Sequence, residues 1–234
     1  MTHDPITIAN ADLSVDIAPV GAETHAIRDA DGRDYLWHGD PEVWDGRAPI
    51  LFPIVGAAKG GRVAYGETEV AMDKHGFARH ARFTVTDQSP NACTMSLHAH
   101  DASRALYPFD FALHITHALD GKSLRVSARV ENAGDGPMPF GFGFHPAFLW
   151  PLPGAEGAHL VTLDNGAEPA LARIDGDGLL TDARYPSPFE KGRLVLDHAQ
   201  FVEDAMIFPE GVGNGLTYGP ETGPALRFTF ENLP

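Results

Sequence analysis

Phe109-Asp-Phe-Ala-Leu-His-Ile-Thr-His-Ala-Leu-Asp-Gly-Lys-Ser-Leu-Arg-Val-Ser-Ala-Arg-Val130 is the stretch that decides the fold. In an extended chain Phe109, Phe111, Leu113, Ile115 and Leu119 fall on one face, and Asp110, His114 and Thr116 on the other. Asp120-Gly121 supplies a turn. On the return arm Leu124, Val126, Ala128 and Val130 alternate with Ser123, Arg125, Ser127 and Arg129. A period of two on both arms of an Asp-Gly turn specifies an antiparallel hairpin with one buried face.

The same pattern recurs on either side. Ile6–Ala9 and Leu13–Ile17 alternate around a break at Asn10, and His25–Arg28 and Tyr35–Trp37 flank the turn sequence Asp29-Ala30-Asp31-Gly32. Arg62–Tyr65 and Glu67–Val70 close on Gly66; Ala81–Asp87 and Cys93–Ala99 close on Ser89-Pro90-Asn91. Ser103–Leu106 has room for one helical turn. Further on, Leu160–Leu163, Leu194–Leu196, Ala205–Phe208, Leu216–Tyr218 and Ala225–Phe230 read as strands, with a turn-rich stretch before Ser187. No long window carries a helical period, and 25 Gly and 19 Pro punctuate the chain. The expectation is an all-β protein, a large antiparallel β-sandwich. No linker, repeat or low-complexity run divides residues 1–234, so a single domain is expected.

Composition narrows the function. A formal charge of −15 over 234 residues disfavours nucleic acid as a partner. No apolar run is long enough to span a bilayer and no signal-peptide pattern opens the chain, so the expectation is a cytoplasmic protein without a membrane partner. Cys93 is alone, which excludes an internal disulfide framework and a thiolate metal cluster. Oligomeric state leaves no signature.

Chemistry concentrates around Met138-Pro-Phe-Gly-Phe-Gly-Phe-His-Pro-Ala-Phe148. On a strand Phe140, Phe142 and Phe144 share one face, and Gly141 and Gly143 leave the other bare for a backbone or a ligand. Pro146 ends the strand at His145. That imidazole is either a proton-transfer group beside a groove or the cap of a core strand. Arg47 leads into the proline-bracketed apolar segment Pro49–Gly56, the wall of a pocket. His75 and Arg79 lie in a polar stretch without periodicity, and Asp204 precedes Ala205–Phe208 at a strand start. Each of these five also has an ordinary reading as a turn residue, cap or core ion pair. His98 and His100 share a strand face as a possible chelating pair without a third ligand, while His114 and His117 point to opposite faces, so no metal is expected. No Gly-x-Ser-x-Gly elbow, phosphate-cradling loop or dinucleotide fingerprint is present.

Taken in order, Trp37-His-Gly-Asp40, Arg47–Gly56, Lys74–Arg79, Tyr107–Phe111, Met138–Phe148 and Asp204–Phe208 resemble the aldose 1-epimerase (galactose mutarotase) family, and its bacterial mutarotase-like subgroup most closely. The resemblance implies a β-sandwich with a sugar groove, no cofactor, and an aldohexose as partner. It implies His145 as the general acid that protonates the ring oxygen. His75 would hydrogen-bond near that oxygen or assist the transfer, Arg47 and Asp204 would bind hydroxyls, and Arg79 would support the His75 loop. Members of the family carry their general base in a Glu-Pro-Trp-like segment that follows the strand matching Ala225–Phe230. The expectation is that this chain lacks that glutamate and the closing strands. Two readings follow: an anomer-interconverting enzyme whose full product supplies the base, or a non-catalytic carbohydrate-binding or sensing protein on the same scaffold. A third, an epimerase of phosphorylated hexoses, needs a cluster of basic residues that the sequence does not display.

Overall fold

The computed structural model describes residues 5–211 and 213–233. The chain divides into two compact units, Met1–Phe148 and Leu149–Pro234. The first begins with β1 (Ile6–Ala9), β2 (Leu13–Ala18) and β3 (Glu23–Asp29), an antiparallel sheet in that order. The break between β1 and β2 has a local cause: Asn10 Oδ1 accepts the N–H groups of Asp12 and Leu13, each at 2.8 Å. There follow β4 (Ile50–Leu51), β5 (Arg62–Tyr65), β6 (Thr68–Ala71), β7 (Thr84–Ser89), β8 (Ala92–His98), the short helix α1 (Asp101–Leu106), β9 (Phe111–Asp120), β10 (Ser123–Asn132) and β11 (Gly143–Phe144).

β9 and β10 form the expected hairpin, in register from Ser123 opposite Asp120 to Val130 opposite Leu113, and head a sheet ordered β10-β9-β8-β7. Its inner face meets that of the β1-β2-β3 sheet. Ile8, Val15 and Ile17 pack in one cluster with Met95, Leu97, Phe111, Leu113 and Ile115. Each such side chain, fully buried, contributes about 1.5–3 kcal/mol. His117 continues the inward-facing row and is fully buried, its Nε2 3.1 Å from Thr24 Oγ1. At one end of this core Phe52 lies against Phe77, Tyr107 and Phe111 at centroid distances of 6.3, 5.6 and 5.3 Å. This aromatic knot fixes the segments on either side of residues 52 and 77.

Two expected strands are cut short. Tyr35–Trp37 pairs with β3 only at its start, where Tyr35 N–H donates to Ile27 O at 3.0 Å; there Asp34 Oδ1 enters the ladder and accepts from Ile27 N and Leu36 N at 3.1 and 3.0 Å. Leu36 then bridges to Phe148. In Met138–Phe148 only Gly143 and Phe144 are strand, paired with Ile50–Leu51. The glycines are spaced for a different reason. A Cβ on Gly141 would sit 3.4 to 3.6 Å from the backbone of Pro53–Val55, and one on Gly143 would sit 3.3 Å from the Val55 side chain. A second backbone occupies the bare face.

The second unit is one antiparallel sheet, ordered β13-β12-β14-β15, of β12 (His159–Leu163), β13 (Arg193–Val195), β14 (Gly215–Pro220) and β15 (Leu226–Thr229). Leu152, Leu160, Phe189 and Leu194 are buried in it, and His159 Nε2 accepts the Leu152 N–H at 3.0 Å. Ala205–Phe208, expected as a strand, makes only the bridge between Ile207 and Ala172. The Arg173 guanidinium takes the carbonyls of Asp204 and Ala205, which a ladder would have needed as acceptors.

Candidate functional site

His75 sits in a turn that its own neighbours over-determine. Its backbone is left-handed, φ +70°, a conformation that non-glycine residues adopt at a cost. The turn is closed on Gly56 twice: His75 N–H donates to Gly56 O at 2.8 Å, and Gly56 N–H donates to His75 Nδ1 at 3.0 Å. Next door, Gly76 lies so close to Phe52 that a Cβ there would be 2.2 Å from its carbonyl oxygen. Phe77 N–H and Ala78 N–H both donate to that same oxygen. With Nδ1 committed as acceptor, the neutral ring carries its proton on Nε2. Burial pushes the His75 pKa down to about 4, helped by the positive charges of His145, Lys74 and Arg79. At neutral pH His75 is therefore an uncharged N–H donor.

His145 lies just beyond β11, its N–H donating to Pro49 O at 3.2 Å, and its side chain is exposed. Its ring centroid is 5.5 Å from that of His75 and 5.3 Å from that of Trp44. The structure thus brings together the two histidines, 70 positions apart in sequence, at the ends of two loops anchored on the Phe52 knot. Burial holds His75 in its neutral form beside His145.

Arg47 is half-buried on the same unit. Its Nη1 donates to His25 O at 2.7 Å, while Glu23 Oε1 accepts the N–H groups of Arg47 and Ala48, each at 2.8 Å. Burial raises the Glu23 pKa, but hydrogen bonds from His25 and from those two backbone N–H groups outweigh it and leave the carboxyl below its ordinary range. Both Glu23 oxygens are engaged, Oε2 lying 3.5 Å from His25. This glutamate shapes the Arg47 corner. Arg79 belongs to a single 3-10 turn, Ala78–His80, and its buried Nε has no hydrogen-bond partner. Its charge reaches His75, as the depressed pKa there records.

Asp204 belongs to the second unit. It is exposed, with a left-handed backbone at φ +66°, and its Oδ1 accepts the Ala205 N–H at 2.6 Å. The turn is gripped from outside by Arg173. Nη1 donates to Glu203 O, Asp204 O and Ala205 O at 3.4, 2.8 and 3.1 Å, and Nη2 to Gln200 O at 3.0 Å. The guanidinium leaves the Asp204 carboxylate oxygens to other donors.

Comparison with known proteins follows the same residues. The family profile described as aldose 1-epimerase matches residues 4–166. Protein LacX of Lactococcus lactis subsp. lactis is 31% identical over 241 residues, covering 98% of this chain and 80% of the relative. The chain belongs to the aldose 1-epimerase family. Among solved structures, a galactose mutarotase related enzyme from Lactobacillus acidophilus superposes with a TM-score of 0.84 at 28% identity, covering 92% of this chain and 72% of that one. A galactose mutarotase-like protein from Lactobacillus casei gives 0.81 at 29% identity, covering 95% and 78%. The β-sandwich fold of this aldose 1-epimerase family member is that of the galactose mutarotase-like proteins.

The histidine pairs elsewhere on this family member are used differently. His100 caps α1, its Nδ1 accepting from Ser103 N at 3.4 Å, while His98 is the last residue of β8. His98 packs edge-on against His114 at 5.8 Å, and His114 Nδ1 meets Ser96 Oγ at 2.7 Å. Among the described residues no group of three or more His, Cys, Asp or Glu is arranged to hold a metal ion. No described helix is long and apolar enough to cross a membrane. Sequence reasoning passed over Gly56, Glu23 and Arg173. All three act through backbone groups distant in sequence, for which a linear pattern carries no signal.

Proposed function

We propose that this chain interconverts the α and β anomers of an aldose by opening and reclosing the pyranose ring. The pair of facing imidazoles carries the reading, one of them fixed by Gly56 as a neutral Nε2–H donor. In the opening step the C1 hydroxyl gives its proton to a carboxylate base or to water, the C1–O5 bond breaks as the C1 carbonyl forms, and O5 gains a proton from the acid. His145 supplies that proton as general acid. His75 Nε2–H hydrogen-bonds the sugar near O5 and steadies the developing charge without adding a second cation. Arg47, with donors left beyond its bond to His25 O, and Asp204 bind hydroxyls, and Arg79 supports the His75 turn electrostatically. Rotation about C1–C2 and closure complete the exchange. No cofactor takes part in this scheme.

The test is the approach of freshly dissolved α-D-galactose and α-D-glucose to anomeric equilibrium, followed by NMR. The 234-residue chain is assayed beside one extended by a Glu-Pro-Trp-like C-terminal segment, because no described residue is assigned the task of taking the C1 proton. Acceleration by either chain supports the enzyme. Sugar binding without acceleration by both supports the alternative, a non-catalytic carbohydrate-binding protein. In the active form His145→Ala should abolish exchange while sugar affinity stays within about tenfold, since the loss falls on the transition state. Undiminished exchange in that variant removes His145 from the mechanism.

A further inference from the structure

We propose that the Trp44 indole is the wall against which the sugar stacks, and that Gly46 sets the position of that wall. The inference rests on the reading of His145 and His75 as the groups that meet the sugar near its ring oxygen. Trp44 is half-buried and its ring lies 5.3 Å from that of His145, so a pyranose hydrogen-bonded to His145 comes within van der Waals reach of the indole. A pyranose presents an apolar C–H face as well as hydroxyls. A tryptophan beside two imidazoles supplies the apolar partner for that face.

The loop is anchored without use of the Trp44 ring. Asp40 O accepts the N–H groups of Val43 and Trp44 at 3.0 and 2.7 Å, Asp40 Oδ1 accepts Glu42 N–H at 2.9 Å, and Trp37 Nε1 donates to Trp44 O at 2.8 Å. Trp37 is the structural tryptophan of the loop. Trp44 is held by its backbone and leaves its ring to the site. Gly46 then matters for a reason other than its dihedral angles. A Cβ there would fall 2.5 to 3.1 Å from three atoms of the Trp44 ring, so any side chain at residue 46 displaces the indole.

The chain is titrated with D-galactose and D-glucose, following tryptophan emission and saturation-transfer NMR. Trp44→Ala should weaken binding roughly tenfold, the loss of one aromatic contact of ordinary strength. Gly46→Ala, which keeps every atom of the indole but moves it, should weaken binding by about threefold or more. Trp44→Phe should fold as the native chain does, bind more weakly and lose the sugar-induced emission change. An unaltered emission response in Trp44→Phe, or native affinity in both Trp44→Ala and Gly46→Ala, overturns the inference, as does native protein that binds neither sugar. Should Trp44→Ala fail to fold, Trp44→Phe and Gly46→Ala decide. Failure of the functional reading looks different: His145→Ala would exchange anomers normally while the Trp44 variants still lost affinity.

Discussion

His75 and Asp204 are both non-glycine residues held at positive φ, +70° and +66°, and both turns carry a group assigned to the sugar. They are stabilised in opposite ways. The His75 turn is built from inside: its own ring and N–H close on Gly56, and Gly76 nests on the Phe52 carbonyl. The Asp204 turn is exposed and held from outside by one guanidinium that gathers four carbonyls. The first arrangement consumes Nδ1 and leaves Nε2 to carry the ring proton. The second engages the Asp204 carboxylate only through its bond from the adjacent Ala205 N–H and leaves rigidity to the Arg173 guanidinium. The strained turn that fixes a tautomer is half-buried; the one that carries a carboxylate is exposed, where water solvates the charge.

The contrast is broken most forcibly at Gly76. Its Cβ position is 2.2 Å from Phe52 O and 2.7 Å from Pro53 N, both backbone atoms, and its φ is +71°. Neither strand nor turn can give way cheaply. Gly76→Ala should lower stability by about 3 kcal/mol or more, read from urea unfolding, with loss of sugar binding. A native unfolding midpoint would show that the turn is far softer than its contacts imply.

The exposed turn should respond in the reverse sense. Asp204→Gly suits the left-handed backbone and removes the carboxylate. Its stability should change by less than about 1 kcal/mol, since relief at φ +66° offsets the lost bond to Ala205 N. Sugar affinity should fall tenfold or more, the usual worth of a hydrogen bond to a charged group being about 1.5–3 kcal/mol. Unchanged affinity would leave Asp204 as an ordinary turn residue.

Acid separates the turns by another route. His75 titrates near 4 in the folded chain against an ordinary 6.5, and so does the buried His117. A depressed folded pKa means that the stabilisation is complete above pH 6.5. It is lost as pH falls toward 4, because the unfolded chain takes up protons that the folded one refuses. The slope is at most about 1.4 kcal/mol per pH unit for each group. His75→Asn, which tolerates the positive φ, should flatten the stability–pH curve by one group's share between 6.5 and 4. An unaltered slope would mean that His75 is protonated in the native turn. The Arg173 clamp grips carbonyls, which do not titrate.

How much of this was legible depended on whether a local pattern carried it. The Phe109–Val130 hairpin was written in alternation and an Asp-Gly turn, and the structure keeps it in register. The spacing of Gly141 and Gly143 was visible, but it is identical for a long strand and for a coil pressed against Pro53–Val55; only that tertiary approach decides between them. Motif order brought His75 and His145 under one family resemblance. Their 5.5 Å approach comes from the Phe52 knot, which is tertiary. The left-handed backbone of Asp204 cannot be read from an aspartate, and the strand expected to follow it was lost to a guanidinium from a turn-rich, patternless stretch.

That guanidinium gives the finest test. Lysine at residue 173 keeps the charge but offers a single ammonium, which cannot span carbonyls from Gln200 to Ala205 as the planar fork does. Arg173→Lys should cost less than about 1 kcal/mol of global stability, since the turn is exposed and the sheet core does not include it. The turn itself should open more often. Amide exchange at residues 203–205 should quicken, and sugar affinity should fall about threefold because the Asp204 carboxylate is no longer held in place before the ligand binds. Faster exchange with native affinity would make the clamp purely structural. Native exchange and native affinity together would mean that the left-handed turn holds itself, as the His75 turn does, and the distinction between the two would collapse.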